Sequence, residues 1–359
     1  MKILLANNEL RGGGAEKVIL TLINEFLVMK HEVHLIIFDN IIEVDIPNNL
    51  ILHIIDNKNK FIKIYKLKSL MKKLEQETRF DLVLSNLPET DYFMRKLNHQ
   101  NIYFCIHTTL SKAYIENKGF IKRFKRKIRF NLLYKNQNII TVSNGVKDDF
   151  LKNMKIKPKS IQTIYNPINF EIINKLSSEG NVINEDNYIV HIGNYGKVKC
   201  HELLLKAYKN SNLDLKLVLI GKNVKENTIN IVKELNIEDK VVFTGYLKNP
   251  YNILKNAKLL IMSSSYEGFS MVLVEALALK TIPISTDCTS GPNEILIDEL
   301  KDNLVPINNI KELSSKILEV INNYKKFDNL NYEKFIQKFE ARKIANKYIN
   351  LVNLFKKNN

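Results

Sequence analysis

A chain of 359 residues exceeds what one hydrophobic core usually serves, so two domains with a ligand cleft between them are expected. A composition of 45% hydrophobic and 26% charged residues excludes a disordered or fibrous chain, and three scattered cysteines without a C-x-x-C pair exclude a zinc ribbon or a disulfide framework and fit a reducing compartment. The formal charge of +16 calls for an anionic partner, and +12 of it falls within residues 1–170.

The chain opens on a short apolar run, residues 3–6, that stops at Asn7-Asn8-Glu9, too short for the apolar region of a signal peptide. Elsewhere no segment reaches the roughly 18 apolar residues of a spanning helix. The expectation is a cytoplasmic chain that can lie peripherally on the inner face of the cytoplasmic membrane.

Strand-like runs at 2–6, 32–38, 50–55, 80–85, 102–107, 138–143 and 161–165 alternate with helical stretches, as in a parallel sheet covered by helices. Most are nearly continuous in Val, Ile and Leu, as strands buried on both faces must be. After the first strand, Gly12-Gly13-Gly14-Ala15-Glu16 opens a helix with apolar Val18, Leu22 and Phe26. Gly13 and Gly14 there either make a tight turn or let backbone N–H groups approach a diphosphate or oxyanion at the helix N-terminus. His107 ends the fifth run and is either a structural histidine or a hydrogen-bonding group in the cleft.

Residues 118–135 carry the densest basic run, with no acid between Asn117 and Lys147. Phe120, Phe124, Ile128 and Leu132 recur every four residues, giving a basic amphipathic helix. Two readings stand: a core-packed helix with a solvated basic face, or a helix lying on an anionic membrane. A second basic run covers residues 58–73.

Residues 174–187 are polar and without periodicity, which places the domain boundary there. A second series of strands follows at 188–193, 215–221, 240–246, 258–263, 281–286 and 303–305. Tyr246 lies at the end of its third run, where parallel strands form ligand crevices, and reads either as a base contact or as an ordinary half-buried aromatic. The last stretch, 332–355, has helical spacing only.

The strongest constellation is Glu267-Gly268-Phe269-Ser270 followed by Met271-Val272-Leu273-Val274-Glu275. A helix starting near Ser270 leaves Glu267 in the loop and puts Glu275 one to two turns in. Carboxylates accept from vicinal hydroxyls, while the amides of Phe269, Ser270 and Met271 suit phosphate. The D-x-D, H-E-x-x-H and G-x-S-x-G patterns are absent, so no metal and no cofactor are expected.

E-G-F-S-x-V-L-x-E-A, together with the early glycine loop, resembles the E-x7-E motif of the family-4 retaining glycosyltransferases, over nearly the whole chain. Ser290-Gly291-Pro292-Asn293-Glu294 is similar to a segment of bacterial N-acetylgalactosamine transferases that extend lipid-linked or surface oligosaccharides. The resemblance implies an α/β GT-B fold of two Rossmann-like domains: an acceptor domain at 1–170, a linker at 171–187, a nucleotide-sugar domain at 188–330, and terminal helices at 331–359 returning to the first.

It further implies retaining transfer of a hexose or N-acetylhexosamine from a UDP-sugar to a glycan acceptor, as in synthesis of surface polysaccharide, lipopolysaccharide or lipid-linked oligosaccharide. Glu267 then meets the donor sugar and Glu275 the ribose. The family's G-R-L-x3-K-G segment matches residues 193–200, placing Lys199 on the diphosphate, with Asn194 in place of the usual Arg and Lys197 either helping or merely at the surface. His107 falls near where family members often place a His that hydrogen-bonds the donor sugar. The alternatives are an epimerase or phosphorylase on the same architecture, an inactive donor-binding subunit, and a nucleic-acid binder, which the lack of a stacking platform disfavours.

Overall fold

The computed structural model describes residues 1–179, 183, 185 and 187–357, and the chain divides into two units. The first comprises Met1–Ile168 and the chain end from Phe339; the second is Asn169–Lys338.

In the first unit β1 (Lys2–Asn7), α1 (Gly14–Val28), β2 (Glu32–Ile37), β3 (Ile51–Ile54), α2 (Lys60–Leu74) and β4 (Leu82–Asn86) are followed by α3 (Pro88–Met94), β5 (Ile102–Ile106), α4 (Phe120–Tyr134), β6 (Asn138–Thr141), α5 (Asn144–Asp148) and β7 (Ser160–Thr163). The seven strands pair in the order β3-β2-β1-β4-β5-β6-β7, all parallel. Central β1 buries Ile3, Leu4, Leu5 and Ala6 completely because helices cover both faces. Each buried Ile or Leu of this kind contributes about 1.5–3 kcal/mol.

The second unit runs α6 (Phe170–Ser177), β8 (Tyr188–Ile192), α7 (His201–Ser211), β9 (Lys216–Ile220), α8 (Val224–Glu234), β10 (Val241–Gly245), α9 (Tyr251–Asn256) and β11 (Leu259–Met262). It continues through α10 (Met271–Ala278), β12 (Ile282–Thr286), α11 (Pro292–Ile295), β13 (Leu304–Val305), α12 (Ile310–Asn322) and α13 (Tyr332–Ile336). Its six strands are parallel in the order β10-β9-β8-β11-β12-β13. Every strand-like run of the sequence is a strand, with each end within two residues of the expected bound.

Two expected boundaries move. The linker expected at 171–187 begins inside α6, which Asn169 caps by accepting from Ile172 N at 2.9 Å and which buries Ile173 and Ser177. Asn249 Nδ2 and Asn252 Nδ2 donate to the Leu176 and Ser177 carbonyls at 2.8 and 3.1 Å, fastening α6 to α9. The helix makes only about two turns and its second half, 174–177, runs into the polar stretch, so no period stood out; residues 180–182, 184 and 186 of that linker lie outside the described residues. At the other end, α13 belongs to the second unit, with Phe335 buried, and only the chain from Phe339 onward belongs to the first. There α14 (Ala341–Lys357) starts where Ile168 N donates to Phe339 O and Ala341 N to Ile168 O, and Arg342 Nε meets Glu25 Oε2 of α1 at 2.7 Å.

The apolar stripe of α4 is not in the core. Phe130, Leu133 and Tyr134 face inward, whereas Phe120, Phe124, Ile128 and Leu132 are all exposed. Periodicity shows that side chains share a face, not what covers it.

Candidate active site

In an open parallel sheet the ligand crevice lies at the carboxyl ends of the strands where strand order reverses. In the second unit that point is β8 with its neighbours β9 and β11. The residues after β8 and β11 are Lys199 and Glu267, and they meet: Lys199 Nζ lies 2.8 Å from Glu267 Oε1, both side chains partly buried. The two loops are laced together, Ser265 N donating to Val198 O at 2.8 Å and Ser263 Oγ to Lys199 O at 2.7 Å.

Glycines make this rim possible by close approach. A Cβ on Gly193 would sit 3.3 Å from Lys199 Cε, so the lysine stem runs over bare backbone. A Cβ on Gly221 would sit 2.1 Å from Gly193 O. Behind Glu267, Ser290 Oγ donates to its carbonyl at 2.5 Å, and Gly291, at φ 96°, packs so tightly that a Cβ would be 2.8 Å from the Phe269 carbonyl. The Ser290-Gly291 segment thus supports the Glu267 loop. Sequence spacing marked that segment only by likeness.

Gly268 and Phe269 are buried, and Ser270, at φ 64°, turns the chain into α10. Ser270 Oγ is buried and has no hydrogen-bond partner among the described residues. Glu275, also buried, accepts from Tyr251 Oη at 3.1 Å. Burial and this carboxylate push the Tyr251 phenol far up, so it stays a donor. One hydrogen bond leaves the Glu275 carboxylate with acceptor capacity to spare.

Asn194 is exposed, yet its Oδ1 accepts from Lys222 N at 2.9 Å while Tyr195 N donates to Lys222 O at 2.9 Å. Only its Nδ2 is left for a phosphate. Lys197 is exposed in the short turn before Lys199. Tyr246 is half exposed, with Lys222 Nζ 4.7 Å from its ring centroid.

Beneath the rim sits a histidine pair, His191 and His201. His191 Nδ1 donates to Ile261 O at 2.8 Å, and its ring meets His201 edge-on at 4.8 Å between centroids. Burial lowers His191 to about 3 and His201 to about 4, so both are neutral at pH 7. The sequence cue was a polar residue inside an otherwise apolar strand.

In the first unit the reversal point is β1 with β4. His107 follows β5, and its Nε2 lies 2.9 Å from Asn86 Oδ1. Asn86 Nδ2 donates to Ala6 O at 3.1 Å, which orients the amide and makes His107 Nε2 the donor. Nδ1 is left as a sealed lone pair without a partner among the described residues. Burial lowers His107 to about 4, so its ring is neutral at pH 7 and not a cation.

Gly13 and Gly14 are exposed at the start of α1. Glu16 bends back over them: a Cβ on Gly13 would lie 2.5 Å from Glu16 Oε2. Burial raises this carboxyl while backbone hydrogen bonds from Glu16 and Gly13 oppose the rise. The anion site expected at this N-terminus already holds a carboxylate of its own.

Among the described residues no group of three or more His, Cys, Asp or Glu is placed to hold a metal, and no helix is long and apolar enough to cross a membrane.

Residues 12–172 match the family model described as Glycosyltransferase Family 4, and residues 173–336 that described as Glycosyl transferases group 1. The N-acetylgalactosamine-N,N'-diacetylbacillosaminyl-diphospho-undecaprenol 4-alpha-N-acetylgalactosaminyltransferase of Campylobacter jejuni is 33% identical over 84% of each chain. Among solved structures, the sucrose-phosphate synthase of Thermosynechococcus elongatus superposes with TM-score 0.83 at 16% identity, covering 100% of both chains. Anabaena HepE in complex with UDP and glucose does so with TM-score 0.78 at 16% identity, covering 98% of this chain and 99% of that one.

Proposed function

The chain belongs to glycosyltransferase family 4 and is a glycosyltransferase of the GT-B fold, and from that premise we propose that it moves an N-acetylhexosamine or hexose from a UDP-sugar to a lipid-linked glycan, with retention. The observation that carries this reading is the Lys199–Glu267 pair, 2.8 Å apart at the strand-order reversal of the second unit. Cation and sugar acceptor are thereby held side by side, as a diphosphate joined to a sugar requires. Epimerase and phosphorylase readings are not favoured, since the matched families and the curated relative are transferases.

Lys199 has three N–H donors and gives one to Glu267, which leaves two for the diphosphate. Asn194 Nδ2, Lys197 and the first amides of α10 with Ser270 Oγ complete that cradle. The free lone pairs of Glu267 accept sugar hydroxyls, Glu275 takes the ribose, and the strand end at Tyr246 takes the base. Gly268 and Phe269 shape the loop between phosphate and sugar. As the bond from C1 to the diphosphate oxygen breaks, charge grows on that oxygen, and a fixed cation acts most strongly there. The acceptor hydroxyl forms the new bond to C1 on the same face and passes its proton to the departing diphosphate. No protein nucleophile and no redox partner is needed.

The first unit takes the acceptor. His107 sets its uncharged ring at the strand end beside the bound sugar, and Gly13 and Gly14 offer backbone to hydroxyls rather than phosphates, because Glu16 repels the latter. The basic residues 118–135 face an anionic membrane surface, where a lipid-linked acceptor resides.

The test is a thermal-shift and diphosphate-release screen against UDP-, GDP- and ADP-sugars, with polyprenyl-diphosphate glycans as acceptors. Stabilisation by a UDP-sugar with acceptor-dependent UDP release is the expected result. Stabilisation by another nucleotide sugar would overturn the donor assignment, and no response to any donor would overturn the site.

A further inference from the structure

Eight large apolar side chains stand in solvent on just two helices of the first unit. On α2 they are Phe61, 82% exposed, Tyr65, 74% exposed, and Ile62. On α4, Phe120 is 85% and Phe124 61% exposed, with Ile121, Ile128 and Leu132 beside them. The helices are anchored by other residues: Leu67 and Met71 of α2, and Phe130, Leu133 and Tyr134 of α4, are buried. Each helix carries six basic residues and no acid, and all but Lys63, which pairs with Asp39 at 2.7 Å, and the half-buried Arg126 are exposed.

The topology puts both helices on one face. The crossovers β3 to β4 and β5 to β6 run the same way across the sheet, and right-handed connections then place α2, α3 and α4 together. The contacts agree: Lys63 Nζ of α2 lies 5.7 Å from the Phe93 ring of α3, and Tyr134 Oη of α4 donates to Asp91 of α3 at 2.6 Å. A crossover helix runs antiparallel to its strands, so the N-terminal halves of α2 and α4 stand at the strands' carboxyl ends. Phe61, Tyr65, Phe120 and Phe124 therefore share the edge that carries His107 and Gly13.

We propose that α2 and α4 form one docking platform that inserts these aromatic and aliphatic side chains into an anionic lipid leaflet, turning the acceptor-side rim of the first unit toward the bilayer. Charge selects this occupant. A second copy would bring like charge against like, in a region whose net charge is +12. A nucleic acid fits the charge, but Ile62, Ile121, Ile128 and Leu132 cannot stack on bases, whereas all eight gain by leaving water for acyl chains. The inference rests on the reading that the acceptor is lipid-linked, and extends it from one basic stretch to a two-helix surface with a defined orientation.

The chain contains no Trp, so a single Trp is a clean reporter. Phe124→Trp and Tyr65→Trp proteins are titrated with phosphatidylglycerol–phosphatidylcholine vesicles, pure phosphatidylcholine vesicles, duplex DNA and buffer. Both emissions are expected to shift to the blue, and to be quenched by brominated acyl chains, only with the anionic vesicles. Phe120→Asp/Phe124→Asp is expected to weaken vesicle partitioning by at least roughly tenfold while leaving UDP binding in lipid-free buffer unchanged. A shift for Phe124→Trp alone would overturn the two-helix platform. Equal binding to neutral vesicles, a shift with DNA, or a concentration-dependent shift without lipid would overturn the anionic leaflet as occupant. Failure of the function reading is seen separately: UDP binding and transfer to a detergent-dispersed acceptor are measured without vesicles, and their loss with vesicle insertion intact would sink that reading and spare the platform.

Discussion

The two strand-end rims are built from the same architecture and furnished in opposite ways. In the second unit the rim is charged and paired, Lys199 against Glu267, on loops brought together by Gly193, Gly221 and Gly291. In the first unit the corresponding rim is neutral: His107 is held uncharged by burial against Asn86, and the N-terminus of α1 is filled by Glu16. A parallel sheet with capped helices thus provides a place for a ligand but not its chemistry. The charged rim suits a departing diphosphate, the neutral one the hydroxyls of an acceptor.

Lys199→Ala should break this contrast most severely, slowing turnover roughly a hundred- to a thousandfold with a smaller change in KM, as loss of a transition-state cation does. Glu275→Ala is expected next, weakening UDP binding by about ten- to a hundredfold in calorimetry, because a buried carboxylate that accepts from Tyr251 and from the ribose is gone. For His107→Ala the expected loss is about tenfold in kcat/KM with UDP affinity unchanged. An unaltered enzyme whose activity is flat from pH 5.5 to 8 would agree with a neutral His107 ring, whereas a titration near pH 6.5 would contradict its being held neutral.

Acid stability is shared by the two rims, because burial lowers His107 in the first to about 4 as it lowers the histidine pair in the second. His191 and His201 hold values of about 3 and 4 in the fold against 6.5 for a free side chain. Between pH 6.5 and 4 the unfolded chain binds protons that the folded one refuses, so their contribution is complete above pH 6.5 and is lost as pH falls toward 4. Tm followed against pH should drop across that window, and His191→Gln should flatten the drop; an unchanged slope would mean the pair is not the cause. The smallest effect is expected at Cys200, which sits at φ 49° beside Lys199, where the family resemblance has Gly. Cys200→Gly should raise stability by no more than about 1 kcal/mol by relieving the left-handed backbone, read from denaturant midpoints.

Much of the fold was legible because strands buried on both faces must be apolar throughout, and each of the thirteen runs is a strand. Glu267 in its loop and Glu275 within the helix were legible too, since eight residues across a helix start leave little freedom. The α6 boundary was not, because a helix of two turns is too short to establish a period and its second half falls in the polar stretch.

Tertiary structure alone decided four further things. Asn194 gives its carbonyl oxygen to Lys222, and Ser290 with Gly291 braces Glu267, because residues far apart in the chain meet only once the strands are in order. His107 carries its proton on Nε2 because Asn86, itself oriented by Ala6, presents its carbonyl oxygen there. The stripe on α4 was visible as a period of four, yet a period states only which side chains point the same way. Whether that face meets a core or solvent depends on which other face found the sheet first, and here Phe130, Leu133 and Tyr134 did.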